Sequence, residues 1–302
     1  MSKIVIFGAS GFVGQNIIRA LSSTNHQILA TDLSEIDVSN YSNIDFIVND
    51  MLDSQHVDEM LSGCDIVIHL ATSNLRTSLK NPKRNIKINV GGMMNILESC
   101  RKHDVKKIIY SSASSIYGIP QYLPVDESHP KNPTTVYGVG KYASEHLVRV
   151  YSELYGIDYF VLRFTNVYGP YQHPNTGGLI PVVLSKIING EDVTIFGDGS
   201  QTRDFVYVGD IVRMIEEIIG KNYKNMIVNA GSGVNTSILD AVTNCGKVLK
   251  IKPNIIHQAQ EGGERKGFQA EMSLNNKLFG NQTTSLLDGL RETSIWVKKL
   301  GT

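Results

Sequence analysis

The strongest constraint on this 302-residue chain is a glycine triplet caught between two patterned segments. Residues 8–14 read Gly-Ala-Ser-Gly-Phe-Val-Gly, which places Gly8, Gly11 and Gly14 at GxxGxxG spacing. Just before them, Lys3–Phe7 (KIVIF) is an unbroken run of β-branched and aromatic residues with no polar alternation. Such a run is a strand buried on both faces, as in a parallel sheet. Just after them, Phe12–Leu21 has the spacing of a helix. Glycines here permit a tight strand-to-helix turn and a close backbone approach. The helix N-terminus offers N–H groups and the positive end of its dipole to a pyrophosphate. Strand, glycine turn and helix in this order are the context in which the triplet reads as a dinucleotide site rather than as three turn residues.

The alternation continues. Residues 27–31, 46–48, 66–70, 107–111 and 159–163 read as strands, and 57–61, 86–101 and 135–155 as helices. In the last helix Val139, Tyr142, Ala143, His146, Leu147, Val150 and Leu154 form one apolar stripe, the side expected to face the core. Repeated β-α units imply an α/β fold built on a doubly wound parallel sheet. Beyond about residue 165 the pattern loosens after a Gly/Pro-rich stretch at 169–181. Helices at 182–188, 210–219 and 237–250 and strands at 193–196 and 226–229 suggest a smaller mixed α/β lobe, and Ser285 with Asp288 three residues on opens a terminal helix as a capping box. The expected division is 1–165 for the dinucleotide domain and 166–302 for a substrate lobe, with some elements returning to the first domain.

Asp32 closes the second strand, 18 residues after Gly14. A carboxylate there accepts hydrogen bonds from the adenosine ribose hydroxyls and repels a 2′-phosphate. No Arg or Lys lies in 33–43 to welcome that phosphate, so NAD is expected over NADP. Tyr137 and Lys141 stand at i and i+4 in the 135–155 helix, on the side opposite the apolar stripe, so core filling does not explain them. An ammonium beside a phenol, together with a cationic nicotinamide, lowers the phenol's pKa from ~10. Tyr137 is then the expected proton carrier for a sugar hydroxyl.

With those residues in place, the chain resembles the NAD-dependent epimerase/dehydratase family of extended short-chain dehydrogenases/reductases, typified by UDP-galactose 4-epimerase. Along nearly the whole length, GASGFVG (8–14), Asp50-Met51, HLAT (69–72), NVGGMMNILE (89–98), YSSASSIYG (110–118), YGVGK (137–141), LRFTNVYGP (162–170), GDGSQTRDFVYVGD (197–210) and SLLDGLRETSIW (285–296) carry the likeness. The resemblance implies C4 epimerisation of a nucleotide-diphosphate sugar through a transient 4-keto sugar. It implies cofactor contacts from Gly8, Ser10, Gly11, Phe12, Val13, Gly14, Asp32, Leu33, Asp50, Met51, Leu70, Ala71, Thr72, Asn89, Ser111, Tyr137, Lys141, Phe164 and Val167. Asn166, Leu179, Phe196, Arg203 and Arg265 match positions on the nucleotide-sugar, the two arginines facing its phosphates as bidentate anion binders. A surface ion pair with Asp204 is the plainer reading of Arg203. By analogy alone, the two long helices are the candidate surface of a homodimer; the Met93, Met94 and Leu97 stripe fits plain core equally well.

Three departures stand out. The Ser or Thr usual four residues before Tyr117 is Ala113 here. If the strand stays extended, Ser115 faces as Ala113 does and is the first substitute, with Ser114 the second. Phe268 stands where an RxGD pattern would have Asp, and the stretch from Leu278 to Ser285 is short. Dehydratases of the family carry Asp-Glu where Ser114-Ser115 stand, and a decarboxylase also wants the Glu. A one-way reductase and a catalytically silent NAD-binding regulator complete the alternatives; the intact Tyr137/Lys141 pair opposes the last.

Composition removes other classes. Lys+Arg and Asp+Glu both count 29, so a nucleic-acid binder's basic excess is missing. Cys64, Cys100 and Cys245 are an odd set without a CxxC pair, so neither disulfides nor a metal site are expected, and reduced thiols point to the cytoplasm. Residues 1–7 are too short for a signal-peptide core, and no window reaches ~18 uninterrupted apolar residues, so no membrane span is expected.

Overall fold

The computed structural model describes residues 1–259 and 267–301. In chain order the first elements are β1 (Lys3–Phe7), α1 (Phe12–Leu21), β2 (Gln27–Asp32), β3 (Ile44–Val48), α2 (Ser54–Leu61), β4 (Ile66–His69), α3 (Leu75–Lys80) and α4 (Pro82–Ile86). A π-helical turn (Lys87–Gly91), α5 (Gly92–Lys102), β5 (Lys107–Ala113), a 3-10 turn (Ser114–Tyr117), α6 (Val136–Tyr155) and β6 (Asp158–Phe164) follow. Then come β7 (Asn166–Tyr168), α7 (Leu179–Ile188), β8 (Val193–Phe196), β9 (Thr202–Tyr207), α8 (Val208–Gly220), β10 (Met226–Ala230), β11 (Asn235–Ser237), α9 (Ile238–Leu249), β12 (Ile255–Gln258), α10 (Ser273–Phe279) and α11 (Leu286–Leu300).

Seven strands form one sheet in the order β10-β6-β5-β4-β1-β2-β3, and the pairings from β6 to β3 are all parallel. This is the doubly wound arrangement expected from the alternation. Its order reverses between β1 and β4, and the crevice beyond their carboxyl ends is where such sheets take ligands. Ile4, Val5 and Ile6 are fully buried, as the uninterrupted apolar run requires. Two smaller sheets, β11-β9-β7 and β12-β8, are built from the later strands. One compact unit comprises Met1–Ile119, His129–Phe164 and Met214–Val228; the other comprises Pro120–Ser128, Thr165–Arg213 and Asn229–Thr302. In the second, Ser285 caps α11 by accepting from the Asp288 N–H at 3.2 Å, as the sequence pattern requires.

Two expectations need correction. The helix expected over 86–101 is three pieces: α4, the π turn and α5. The π turn inserts a residue's worth of extra winding, so a single 3.6-residue period cannot describe the stretch. The apolar stripe of α6 also faces the wrong way for a core stripe. Val139, Val150 and Leu154 are 46%, 44% and 66% exposed, whereas Lys141, Ser144, Glu145, Val148 and Tyr151 are buried. The sheet-facing side of α6 is mostly polar because each buried polar group has a specific partner, which removes the usual penalty for burying it.

Candidate active site

Each glycine of the triplet is placed by contact with backbone. A Cβ on Gly8 would sit 2.4 Å from the Ala71 amide nitrogen and 2.8 Å from the Leu70 carbonyl carbon, and its φ of +87° is itself a glycine conformation. A Cβ on Gly14 would lie 2.3 Å from the Gly8 carbonyl oxygen. Gly11 is the N-cap of α1 and brings no side chain to the helix's first N–H groups, so Phe12 and Val13 open the helix with those donors still available to an anion. Leu70 and Ala71, just past β4, both donate their N–H to the Phe7 carbonyl, at 2.9 and 3.0 Å. The glycine turn and the end of β4 are thus locked together at the switch point.

Asp32 ends β2. Its Oδ2 accepts from the Ser10 N–H at 3.1 Å and its Oδ1 from the Leu33 N–H at 2.7 Å. Both bonds orient the carboxylate and leave each oxygen a further lone pair for a ribose hydroxyl. Leu33 is 60% exposed beside it. Asp50 is exposed and accepts from the Leu52 N–H, while Met51 is buried under Gly92 with its carbonyl held by Asn95 at 3.0 Å. The residues assigned to NAD therefore fit it: a tight turn in which Gly8 and Gly14 leave no room for a Cβ, uncapped helix donors and an oriented carboxylate.

On α6, Thr135 caps the helix by accepting from the Gly138 N–H at 3.1 Å, which fixes the turn bearing Tyr137. Lys141 is buried; its Nζ donates to the Ser111 carbonyl at 2.7 Å and lies 4.9 Å from the Tyr110 ring centroid and 5.8 Å from that of Tyr137. Ser111 itself donates from Oγ to the His69 carbonyl at 3.1 Å. Asn89 is buried in the π turn. Its Oδ1 accepts from the Ser73 N–H at 2.7 Å and the Thr72 hydroxyl at 3.1 Å, and its own carbonyl accepts from Ser144 of α6 at 3.0 Å. Polar contacts therefore tie the π turn both to Thr72 and to α6.

Without the cationic nicotinamide on which the expected lowering also rests, the protein's own groups act the other way. Burial pushes the Tyr137 phenol up to about 12, with the Thr72 hydrogen bond opposing it. Burial also pulls the Lys141 ammonium down to about 7, against the Glu145 carboxylate. The ammonium expected to lower Tyr137 is itself destabilised, so the protein's own groups keep the phenol protonated.

A second correction concerns the serines. β5 ends at Ala113, and Ser114 and Ser115 are the first two residues of the 3-10 turn, so strand alternation does not place Ser115 on the side of Ala113. Both are half-buried. Phe164 closes β6. In the second unit, Asn166 and Val167 lie on β7, Leu179 opens α7, and Phe196 ends β8 with 44% of its surface exposed. Arg203 lies half-buried on β9 and donates to the Thr202 carbonyl at 2.8 Å. Arg265 falls outside the described residues, and Phe268 is buried.

Sequence reasoning missed two buried acids. Glu145, one turn beyond Lys141, accepts from Arg163 of β6 at 3.1 and 2.8 Å, and Arg163 donates a third bond to the Tyr117 hydroxyl at 2.9 Å. The i+4 spacing of Glu145 from Lys141 was the available signal. Asp204 is not a surface partner for Arg203. It is fully buried and accepts from the N–H groups of Ser232, Gly233 and Ala270 at 2.7 to 3.0 Å, and burial raises its carboxyl above the ordinary range. Adjacent strand residues point to opposite faces, which separates the two. Among the described residues no cluster of three metal-ligating side chains occurs, and no helix is long and apolar enough to cross a membrane.

Known proteins resemble this chain over most of its length. The UDP-glucose 4-epimerase of Mycolicibacterium smegmatis is 31% identical over 251 residues, 78% of this chain and 79% of that protein. The crystal structure of the Thermotoga maritima UDP-glucose 4-epimerase with UDP-glucose superposes with a TM-score of 0.93 at 28% identity, covering 99% of this chain and 100% of the other. The Bacillus cereus UDP-glucuronic acid 4-epimerase, in complex with UDP-glucuronic acid and NAD, gives 0.91 at 29% identity over 99% of both. Residues 4–231 match the NAD dependent epimerase/dehydratase family, and the chain belongs to that family of nucleotide-sugar enzymes.

Proposed function

We propose that this enzyme interconverts a UDP-sugar and its C4 epimer. The observation that carries the reading is the Tyr137–Lys141 pair on α6, with serines rather than carboxylates at 114 and 115. Elimination of water needs an acid and a base at the sugar, and that turn offers only hydroxyls. NAD, when bound, supplies reversible oxidation at C4. The chain's own residues do the rest. Tyr137 Oη exchanges the C4-hydroxyl proton, Lys141 and Thr72 hold that phenol in place, and Ser115 or Ser114 hydrogen-bonds the same sugar oxygen. Gly8, Ser10, Gly11, Phe12, Val13 and Gly14 hold the pyrophosphate. Asp32 and Leu33 hold the adenosine ribose, Asp50 and Met51 the adenine. Leu70, Ala71, Thr72, Asn89, Ser111, Phe164 and Val167 line the remainder of the cofactor. Asn166, Leu179, Phe196, Arg203 and Arg265 are assigned to the nucleotide-sugar.

A homodimer through α5 and α6 belongs to the same reading. The outward Val139, Val150 and Leu154 support it, since an apolar stripe on an ordered helix asks for a partner surface. Incubation with a panel of UDP- and dTDP-sugars, followed by NMR of the products, tests the reaction. Conversion of UDP-glucose, UDP-N-acetylglucosamine or UDP-glucuronate to its C4 epimer is expected; a 4-keto-6-deoxy product would replace the epimerase by a dehydratase.

A further inference from the structure

The charge of this chain is segregated. Between Ile66 and Leu97 there is no Asp or Glu, yet five cations, Arg76, Lys80, Lys83, Arg84 and Lys87, fall within twelve residues. The rest of a formally neutral chain therefore carries five more acids than bases. All five cations are exposed, and none is ion-paired to a described residue. Arg76 and Lys80 stand at i and i+4 on α3, and Lys83, Arg84 and Lys87 follow on α4 and the start of the π turn, beyond the break at Asn81.

The same segment is turned inside out. Its inward side is polar: Ser78, Asn85 and Asn89 are buried, and Asn85 and Asn89 donate to the Ser73 carbonyl at 2.8 and 3.0 Å. Its outward side carries Leu75 and Leu79, 42% and 74% exposed, at i and i+4. Asn74 and Asn81 cap the two short helices by accepting from the Thr77 and Arg84 N–H groups, so this face is held in shape. Single exposed leucines are ordinary. Two on α3, beside Arg76 and Lys80 and followed by three more cations with no ion pair to a described residue, have the character of a segment that lies in a membrane interface.

We propose that residues 75–87 dock this protein on an anionic lipid bilayer, the cations meeting phosphate headgroups and Leu75 and Leu79 entering the acyl boundary. A nucleic acid offers the same phosphates but nothing for the leucines. The segment contains no Phe, Tyr or Trp to stack on bases. The surface lies outside the residues assigned to cofactor and sugar, so the proposal stands apart from the epimerase reading.

Flotation of the full-length protein with vesicles tests it. Binding is expected to 1:1 phosphatidylglycerol:phosphatidylcholine vesicles and not to pure phosphatidylcholine, with loss at 0.5 M NaCl. At roughly fivefold in partition per surface cation, Lys80→Gln/Lys83→Gln should bind about 25-fold more weakly. Leu79→Ser should weaken binding by about tenfold while the thermal midpoint of both variants stays at the wild-type value. Failure of the wild type to float with anionic vesicles overturns the proposal. So does full binding by Leu79→Ser, which would leave a purely electrostatic anion surface, or tighter binding to a 20-base-pair DNA duplex than to vesicles. A change of oligomeric state in Leu79→Ser without lipid would instead make this face a contact between copies and also overturn it.

Discussion

The Glu145–Arg163 pair is the feature whose removal can be worked through most fully. Both side chains are almost completely buried, 2% and 4% exposed, and they meet through two parallel hydrogen bonds. Glu145→Ala strands a guanidinium among β5, β6 and α6. Arg163→Ala strands a carboxylate and also removes a donor from the Tyr117 hydroxyl. Removing one member of a buried pair costs about 3–5 kcal/mol, because the surviving charge keeps its desolvation penalty and loses its attraction. Replacing both, as Glu145→Leu/Arg163→Met, removes both charges. The remaining loss is the hydrogen bond to the Tyr117 hydroxyl, worth about 0.5–1.5 kcal/mol. The double variant should therefore be more stable than either single one, a coupling far outside ordinary additivity. Urea titrations followed by circular dichroism, with equal slopes across the four proteins, give the numbers. Single losses below ~1 kcal/mol, or a double loss equal to the sum of the singles, would refute the view that these charges depend on each other.

The remaining predictions concern cofactor, proton, hydroxyl and pH. NAD should bind at least tenfold more tightly than NADP, about 1.4 kcal/mol, and Asp32→Ala should narrow the gap; equal wild-type affinities by titration would remove Asp32 from the ribose. Tyr137→Phe should keep NAD binding and lose at least ~10²-fold in kcat, and near-normal turnover would mean that the proton leaves by another route. With the 3-10 turn replacing strand alternation, Ser115→Ala and Ser114→Ala are compared on equal terms. One of them should cost about 1–3 kcal/mol of transition-state stabilisation, and a double variant at the wild-type rate would exclude both. His69 is buried neutral, its pKa pulled down to about 3 by desolvation and then by Lys141. An unfolded histidine takes up its proton near 6.5, so this contribution to stability is complete above pH 6.5 and is lost on acidification toward pH 3, at up to about 1.4 kcal/mol per pH unit. His69→Asn should flatten the urea midpoint against pH between 6 and 4, and an unchanged slope would refute the assignment.

What was legible in the sequence is what one local period decides. The bounds of β1 follow from a run whose last four residues are buried in a parallel sheet, and those of α6 from a twenty-residue pattern with a Thr135 cap and a Gly156 stop. The glycine turn was legible because backbone contact at Gly8 and Gly14 leaves no alternative residue. The inward face of α6 was not, because a hydrophobic stripe predicts burial only when the buried face lacks paired polar groups. Here Lys141, Ser144 and Glu145 find partners 30, 55 and 18 residues distant in sequence. The short strands β7, β11 and β12 were missed for a related reason: three or four residues carry no period, and their pairing is set by neighbours elsewhere in the chain. Asp204 looked like a surface acid because its donors, the N–H groups of Ser232, Gly233 and Ala270, are main-chain atoms with no sequence signature.

The same buried polar face decides how the candidate site must work. With Lys141 drawn to about 7 and Tyr137 pushed to about 12, the neutral phenol beside a partly protonated amine is the resting arrangement of the protein's own groups. The carboxylate one turn away does not simply restore the ammonium, since both of its oxygens are engaged by Arg163 and its field reaches Lys141 as that of an ion pair. A proton leaving Tyr137 creates a negative charge near Lys141, which raises the lysine's affinity for its own proton; a proton on Lys141 in turn makes the phenol easier to ionise. In the protein alone each value is set first by burial, with Thr72 acting on the phenol and Glu145 on the ammonium. With NAD bound, a positive nicotinamide would favour the phenolate and disfavour a second cation at Lys141, and the Ser111 carbonyl, 2.7 Å from Nζ, would then be the contact that holds the ammonium.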